Sequence, residues 1–182
     1  MPVARRRARR GGPVDRTAAG ALVDPAGRSR HSPGGLVTSP LSFDLDRTYP
    51  VPPDRVWAAW TRADLLERWV LPDPEWRLSQ CEVDAHQGGG YRLRFGPRPA
   101  GDEYTETATF TVFQPVEKLV LDTLTEGEGM KERSRATVLF RPVAGGTRLE
   151  LTVEAVEGID TLDHLRTGWQ WCLEGIAAQV SA

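Results

Sequence analysis

Twenty residues near the end of the chain, Thr161 to Val180, carry apolar side chains at steps of three and four. These apolar positions are Leu162, Leu165, Trp169, Leu173, Ile176 and Val180. The spacing places them on one stripe of an α-helix, with Thr161 as its N-cap. Gly168 and Gly175 each weaken that helix by about 1 kcal/mol relative to alanine. Because a helix of this length is marginal alone in water, the pattern predicts that the stripe packs on the rest of the chain.

The region before this helix predicts a sheet, because apolar residues there mostly alternate with polar ones. A first strand follows Leu41, and two short helices follow it, the first beginning at Pro53 and the second containing Leu65. From Arg77 to Ala155 the period is two, and turn residues divide the region into six further strands. Strands joined by short turns favour an antiparallel meander. We therefore predict an α+β fold, a curved antiparallel sheet of about seven strands wrapped on a long C-terminal helix.

Residues 1–40 differ in composition from the rest of the chain. They contain eight arginines, five prolines and repeated glycines, and almost no large apolar side chains. Such a segment buries too little surface to offset the entropy of ordering it, so we predict a disordered basic tail before one domain over residues 41–182. The tail is open to three interpretations: a basic arm for an acidic surface or nucleic acid, an ordinary solvated tail, or a misassigned start with translation beginning at Val37.

Charge and composition exclude several classes of function. The chain has a formal net charge of −2 and the tail carries +6, so residues 41–182 carry −8, whereas nucleic-acid-binding domains are basic. No stretch approaches the ~20 apolar residues of a membrane helix, and the arginine-rich start lacks the apolar h-region of a signal peptide, so we expect a cytoplasmic protein. Lysine occurs only at Lys118 and Lys131 beside abundant arginine and alanine, which indicates a GC-rich, bacterial coding sequence.

The sequence contains no motif that requires a metal, a cofactor or an enzyme. Cys81 and Cys172 are too few for a disulfide framework or a cysteine-based metal site. The three histidines show no metal-ligand spacing, and no serine lies in a G-x-S-x-G elbow. We therefore assign no catalytic residue, metal or cofactor from the sequence, and catalysis remains an open alternative.

Several short motifs resemble the activator-of-heat-shock-ATPase homologue family of the START-like, helix-grip superfamily, also called SRPBCC. The matching segments are Val56-Trp57-Ala58-Ala59-Trp60-Thr61, Leu65-Leu66 with Arg68-Trp69, Cys81-Glu82-Val83-Asp84 before Gly88-Gly89, Pro115-Val116-Glu117-Lys118-Leu119-Val120, Gly145-Gly146-Thr147-Arg148-Leu149, and Gly168-Trp169. The resemblance implies the helix-grip fold over residues 41–182, with an apolar cavity between sheet and helix, and a stress-response setting. The chain departs from the family pattern at Val70-Leu71 and at Ala108, so the ligand preferences of relatives are not carried over.

The resemblance and the residue pattern together suggest which side chains line that cavity. The predicted lining residues are Trp57, Trp60, Trp69, Tyr91, Phe95, Glu106, Phe110, Leu165 and Trp169. Glu106 shares strand parity with Tyr104, Phe110 and Val112, so it can face inward, where a buried carboxyl serves as an acid, a base or a ligand anchor. Asp122 is a weaker inward candidate, and His164 at the cavity mouth is a candidate acid or base.

Three functions remain open at this point. The first is a protein that binds a hydrophobic or aromatic small molecule for sequestration, transport or sensing. The second is a partner-binding module, by fold analogy with relatives that stimulate a chaperone ATPase. The third is a cofactor-free lyase, cyclase or hydrolase that uses the same cavity. We expect a monomer or a homodimer, with no nucleic-acid partner and no membrane span.

Overall fold

The fold begins with one strand and two short helices, continues with six strands and ends with a long helix. The computed structural model describes residues 41–71 and 73–180, so the predicted tail over residues 1–40 lies outside the described residues. The elements are β1 (Ser42–Tyr49), α1 (Pro53–Thr61), α2 (Ala63–Leu66), β2 (Trp76–Asp84), β3 (Gly90–Pro97), β4 (Tyr104–Gln114), β5 (Lys118–Gly127), β6 (Met130–Val143), β7 (Gly146–Glu157) and α3 (Asp163–Val180). This order confirms the predicted one.

The seven strands form a single antiparallel sheet in the order β1-β7-β6-β5-β4-β3-β2. Strands β2 to β7 are a meander, since each pairs with the next one along the chain. The first strand departs from that rule: α1 and α2 carry the chain from β1 to the far edge, and β1 pairs with β7 instead. The sheet therefore has β1 and β2 at its two edges, with β4, β5 and β6 in its middle.

The inner face of the sheet is apolar along most of its length. In β7, Leu149, Leu151 and Val153 are at most 1% exposed, whereas the residues between them face the other way. On that outer face Arg135 donates two hydrogen bonds to Asp122, at 2.6 and 2.8 Å. Asp122, which strand parity left as an inward candidate, is therefore an outer-face residue, and its bonds with Arg135 hold its pKa below the usual value.

Strand β4 contains an irregularity that the alternation of the sequence does not reveal. The pairing with β5 shifts between Phe110 and Val112. Such a shift adds one residue to one strand and inverts the faces that follow. Phe113, and not Val112 as predicted, therefore packs on the core, with its ring centroid 5.6 Å from that of Phe110.

Helix α3 lies against the inner face and buries Leu173, Ile176 and Val180. It begins at Asp163, and the backbone N–H of Arg166 donates to the Leu162 carbonyl at 2.8 Å, so Leu162 takes the N-cap place predicted for Thr161. The phenol of Tyr49 on β1 donates to the Leu173 carbonyl at 3.1 Å. This bond and the apolar stripe together hold the helix across the sheet.

Candidate ligand-binding cavity

A cavity of about 140 Å³ lies between the inner face of the sheet and the first half of α3. Its lining residues are Val70, Glu106, Thr123, Thr125, Glu132, Ser134, Ile159, Leu165, Trp169 and Cys172. The polar half of this set comes from β4, β5 and β6, and the apolar half comes from α3 and the segments next to it. The cavity therefore has a polar wall on the sheet and an apolar wall on the helix.

Strand register explains why the polar residues lie together. Glu106 on β4 is paired with Thr125 on β5, which is paired with Glu132 on β6. Two residues further along, Thr123 is paired with Ser134. Because side chains two apart on a strand share a face, these five residues form two adjacent rows on the inner face.

Glu106 is the innermost charged group of the polar wall. The Tyr91 hydroxyl donates to its Oε1 at 2.7 Å, and the Thr125 hydroxyl donates to its Oε2 at 3.1 Å. Burial raises the pKa of the Glu106 carboxyl, and these two hydrogen bonds offset part of that rise. Burial also raises the pKa of Tyr91 well above its usual value, with the Glu106 charge as the second cause, so Tyr91 remains a donor.

The other polar lining residues are also hydrogen-bonded to side chains or backbone of the protein. The Thr123 hydroxyl donates to the Ser134 carbonyl oxygen at 3.3 Å, and the two side-chain hydroxyl oxygens lie 2.6 Å apart. At the outer end of the cavity, Nε2 of His164 lies 3.2 Å from Oε2 of Glu132. His164 therefore meets a carboxylate at the cavity rim rather than lining the cavity.

On the helix side, Trp169 is held by an aromatic cluster. Its ring stacks on that of Trp60, with centroids 5.8 Å apart and planes 13° from parallel. Trp60 in turn contacts Trp69 at 5.0 Å, and the Trp69 indole N–H donates to the Ala59 carbonyl at 2.8 Å. One turn further along α3, burial and then the Glu106 charge raise the pKa of the Cys172 thiol to about 12, so the thiol stays neutral.

The sequence profile of the family described as Activator of Hsp90 ATPase homolog 1-like protein matches residues 50–181. The chain belongs to this family. The match confirms the resemblance drawn from the sequence motifs, and it covers all the elements that surround the cavity. A comparison with curated proteins finds no match.

Solved structures of bacterial proteins share the family fold. A protein from Chromobacterium violaceum is 23% identical, with a TM-score of 0.69 over 78% of this chain and 97% of its own. A protein from Rhizobium loti is 28% identical, with a TM-score of 0.66 over 76% and 95%. An AHSA1-like protein from Aeromonas hydrophila is 22% identical, with a TM-score of 0.64 over 78% and 92%. These likenesses establish the helix-grip fold for this member of the family.

Some of the predicted lining residues lie at the cavity, and others lie elsewhere in the core. Glu106, Leu165 and Trp169 line the cavity, and Tyr91 reaches it through its hydrogen bond to Glu106. The others lie in packed surroundings outside the lining set. Trp60, Trp69 and Phe110 are core residues, Trp57 packs on Phe113 and Phe140, and Phe95 stacks on Tyr104 near the end of the sheet.

Four polar lining residues were not predicted from the sequence: Thr123, Thr125, Glu132 and Ser134. Strand parity could have indicated two of them. Thr123 and Thr125 lie two and four residues after the buried Leu121, so they share its inward face, whereas Asp122 and Leu124 between them face outward. A search for large aromatic residues passes over such positions, because a cavity forms where the inward side chains are small.

Two further observations bear on function. Among the described residues, no helix has the length and apolar character that crossing a membrane requires. Within the same residues, no group of three or more histidine, cysteine, aspartate and glutamate side chains is placed to hold a metal ion.

Proposed function

We propose that the protein binds a small molecule of about one aromatic ring in the cavity between the sheet and α3. The observation that carries this proposal is the cavity of about 140 Å³ with one polar and one apolar wall. An engineered cavity of about 150 Å³ in another protein holds benzene, whereas drug-sized ligands occupy about 300–1,000 Å³. The volume therefore favours a ring-sized or short-chain molecule over a long acyl chain.

Family membership supports the proposal, because helix-grip folds commonly hold hydrophobic ligands between the sheet and the long helix. The wall chemistry adds to it. Trp169 offers an aromatic face that the Trp60 stack holds in place, and Glu106 offers a fixed polar group opposite. An apolar body with a few convergent polar groups is the usual composition of a ligand site. Binding of this kind suits sequestration, transport or sensing.

Native mass spectrometry of the full chain, purified from its host without denaturation, tests whether a ligand is present. We expect a single bound molecule of small mass, which organic extraction releases for identification. Calorimetric titration with aromatic and acyl probes then gives affinities, and we expect one-ring probes to bind one to one and long acyl chains not to bind.

Two tryptophans on α3 provide a matched pair of variants for the titration. Trp169 lines the cavity, whereas Trp171 is 50% exposed on the outer side of the helix. We expect Trp169→Ala to weaken binding of a one-ring probe at least tenfold and Trp171→Ala to leave it unchanged. Leu165→Phe, which fills part of the cavity, is a second test if Trp169→Ala fails to fold. The proposal would be overturned if the chain is purified without a bound molecule and binds no ring-sized probe. It would also be overturned if the two alanine variants lose equal amounts of probe affinity.

A further inference from the structure

The hydroxyl groups of the polar wall are bonded to one another and to Glu106. The hydrogens of Tyr91 and Thr125 point to the two oxygens of Glu106. The hydroxyl oxygens of Thr123 and Ser134 lie 2.6 Å apart, and either group can donate in that bond, so it uses one of their two hydrogens. The Ser134 carbonyl oxygen is a further acceptor for the Thr123 hydroxyl, at 3.3 Å. Each hydroxyl has one hydrogen and two lone pairs. At least three of the four hydroxyl hydrogens are thus used inside the protein, so the sheet side of the cavity presents mainly lone pairs to a bound molecule.

The same wall is acidic, and the imidazole of His164 is bonded to it at the rim. Glu106 and Glu132 both line the cavity, and no arginine or lysine does so in the part of the chain that the structure describes. His164 is bonded to Glu132 at the rim, with its imidazole about half exposed. A carboxylate ligand would thus meet two carboxylates in a partly buried site, where like charges repel more strongly than in water.

The helix wall supplies an apolar surface and one donor. Leu165, Val70 and Ile159 are aliphatic, and the Cys172 thiol is directed to the Val70 carbonyl at 3.6 Å. Among the lining side chains described, only the indole N–H of Trp169 is a donor without an intramolecular partner. The face of an indole ring also attracts a cation.

The geometry points to a ligand that brings its own donors, an amine or ammonium group on a ring-sized apolar body, and to exclusion of carboxylic acids. This inference rests on the proposed function, since it names the chemical class for the same cavity. The ammonium group would lie against Glu106 and accept no bond itself, which matches a wall of acceptors. The ring would lie against Trp169 and Leu165.

Three probes of nearly equal size separate the alternatives: benzylamine, benzyl alcohol and benzoate. Titration of the full chain at pH 8 keeps the amine protonated and benzoate ionised. We expect benzylamine to bind at least tenfold more tightly than benzoate, with benzyl alcohol between them. Glu106→Gln removes the deepest charge, so it should reduce the preference for benzylamine over benzyl alcohol at least fivefold.

Glu154→Gln is the matched control, because Glu154 lies on the outer face of the sheet opposite Arg135 and its substitution removes the same charge. We expect it to leave all three affinities unchanged. Benzoate binding as tightly as benzylamine, or equal effects of the two glutamine variants, overturns the inference and leaves the proposed function standing. Absence of binding by all three probes overturns the proposed function and the inference together.

Discussion

Gly175 lies where α3 passes close to Trp69, in the segment that follows α2. A Cβ added at Gly175 would lie 3.0 Å from Cβ, 3.2 Å from Cα and 3.3 Å from the carbonyl oxygen of Trp69. These atoms belong to the backbone or adjoin it, so no side-chain rotation moves them away. A Cβ added at Gly168, about two helical turns earlier, would meet nothing within 4 Å. The two glycines of the same helix therefore form an internal comparison.

Alanine is expected to stabilise the protein at Gly168 and not at Gly175. Alanine in place of glycine stabilises a helix interior by about 1 kcal/mol, so Gly168→Ala should raise the free energy of unfolding by about that amount. Gly175→Ala has the same gain, but crowding in a packed site costs about 1–3 kcal/mol. Its net effect is then between about zero and a 2 kcal/mol loss. At about 4 °C per kcal/mol for a domain of this size, Gly175→Ala should melt about 4–12 °C below Gly168→Ala.

Urea and thermal unfolding followed by far-UV circular dichroism measure both variants against the parent chain. An unchanged urea m-value would show that the two substitutions leave the unfolding transition comparable. Equal stabilisation by the two alanines would refute the close approach of α3 to Trp69.

Three further predictions concern the polar wall and the tail. Tyr91→Phe removes one of the two donors to Glu106, so it should cost about 1.5–3 kcal/mol of stability at pH 8, measured by urea unfolding, and less at pH 4, where the carboxyl is protonated. Because burial raises the pKa of Glu106 above its unfolded value of 4.5, its contribution to stability is fully present below pH 4.5 and falls as pH rises through the folded pKa. Thermal melts from pH 4 to pH 8 should show this loss in the parent chain and not in Glu106→Gln. The other titratable groups that face the same space are Tyr91, Cys172 and Glu132, and all three are present in both proteins. Deletion of residues 1–36 should leave the melting temperature unchanged, and a drop of several degrees would contradict the tail proposal.

The architecture could be predicted from the sequence because its signals are local. The alternation of Leu149, Leu151 and Val153 identifies an inner face within one strand, and Ala144-Gly145-Gly146 marks the turn before it. The irregularity in β4 could not be predicted, because the residues at that point continue the same alternation of types and none of them marks a bulge. It depends on how β4 pairs with β5, which is a contact between distant residues.

The cavity was harder to predict than the fold for a physical reason. Large aromatic side chains such as Trp60 and Phe110 fill space, so the residues that suggest a pocket by their size are those that close it. Glu106 could be identified, because a charged residue with inward parity is unusual enough to stand out. The small hydroxyl residues beside it carry no such signal, and their role depends on the cross-strand register.

Packing of the fold gives no reason for a carboxyl group at the position of Glu106. Leu121 and Ala136 on the same inner face are fully buried, so apolar side chains pack well on these strands. Two hydrogen bonds to Glu106 offset only part of its burial, since its pKa remains raised. A buried charge that is incompletely compensated lowers stability, and an additional donor from a ligand would recover part of that loss. Ligand binding and stability are then coupled through Glu106, so a donor-bearing ligand should stabilise the protein more than an apolar one of equal affinity for the helix wall.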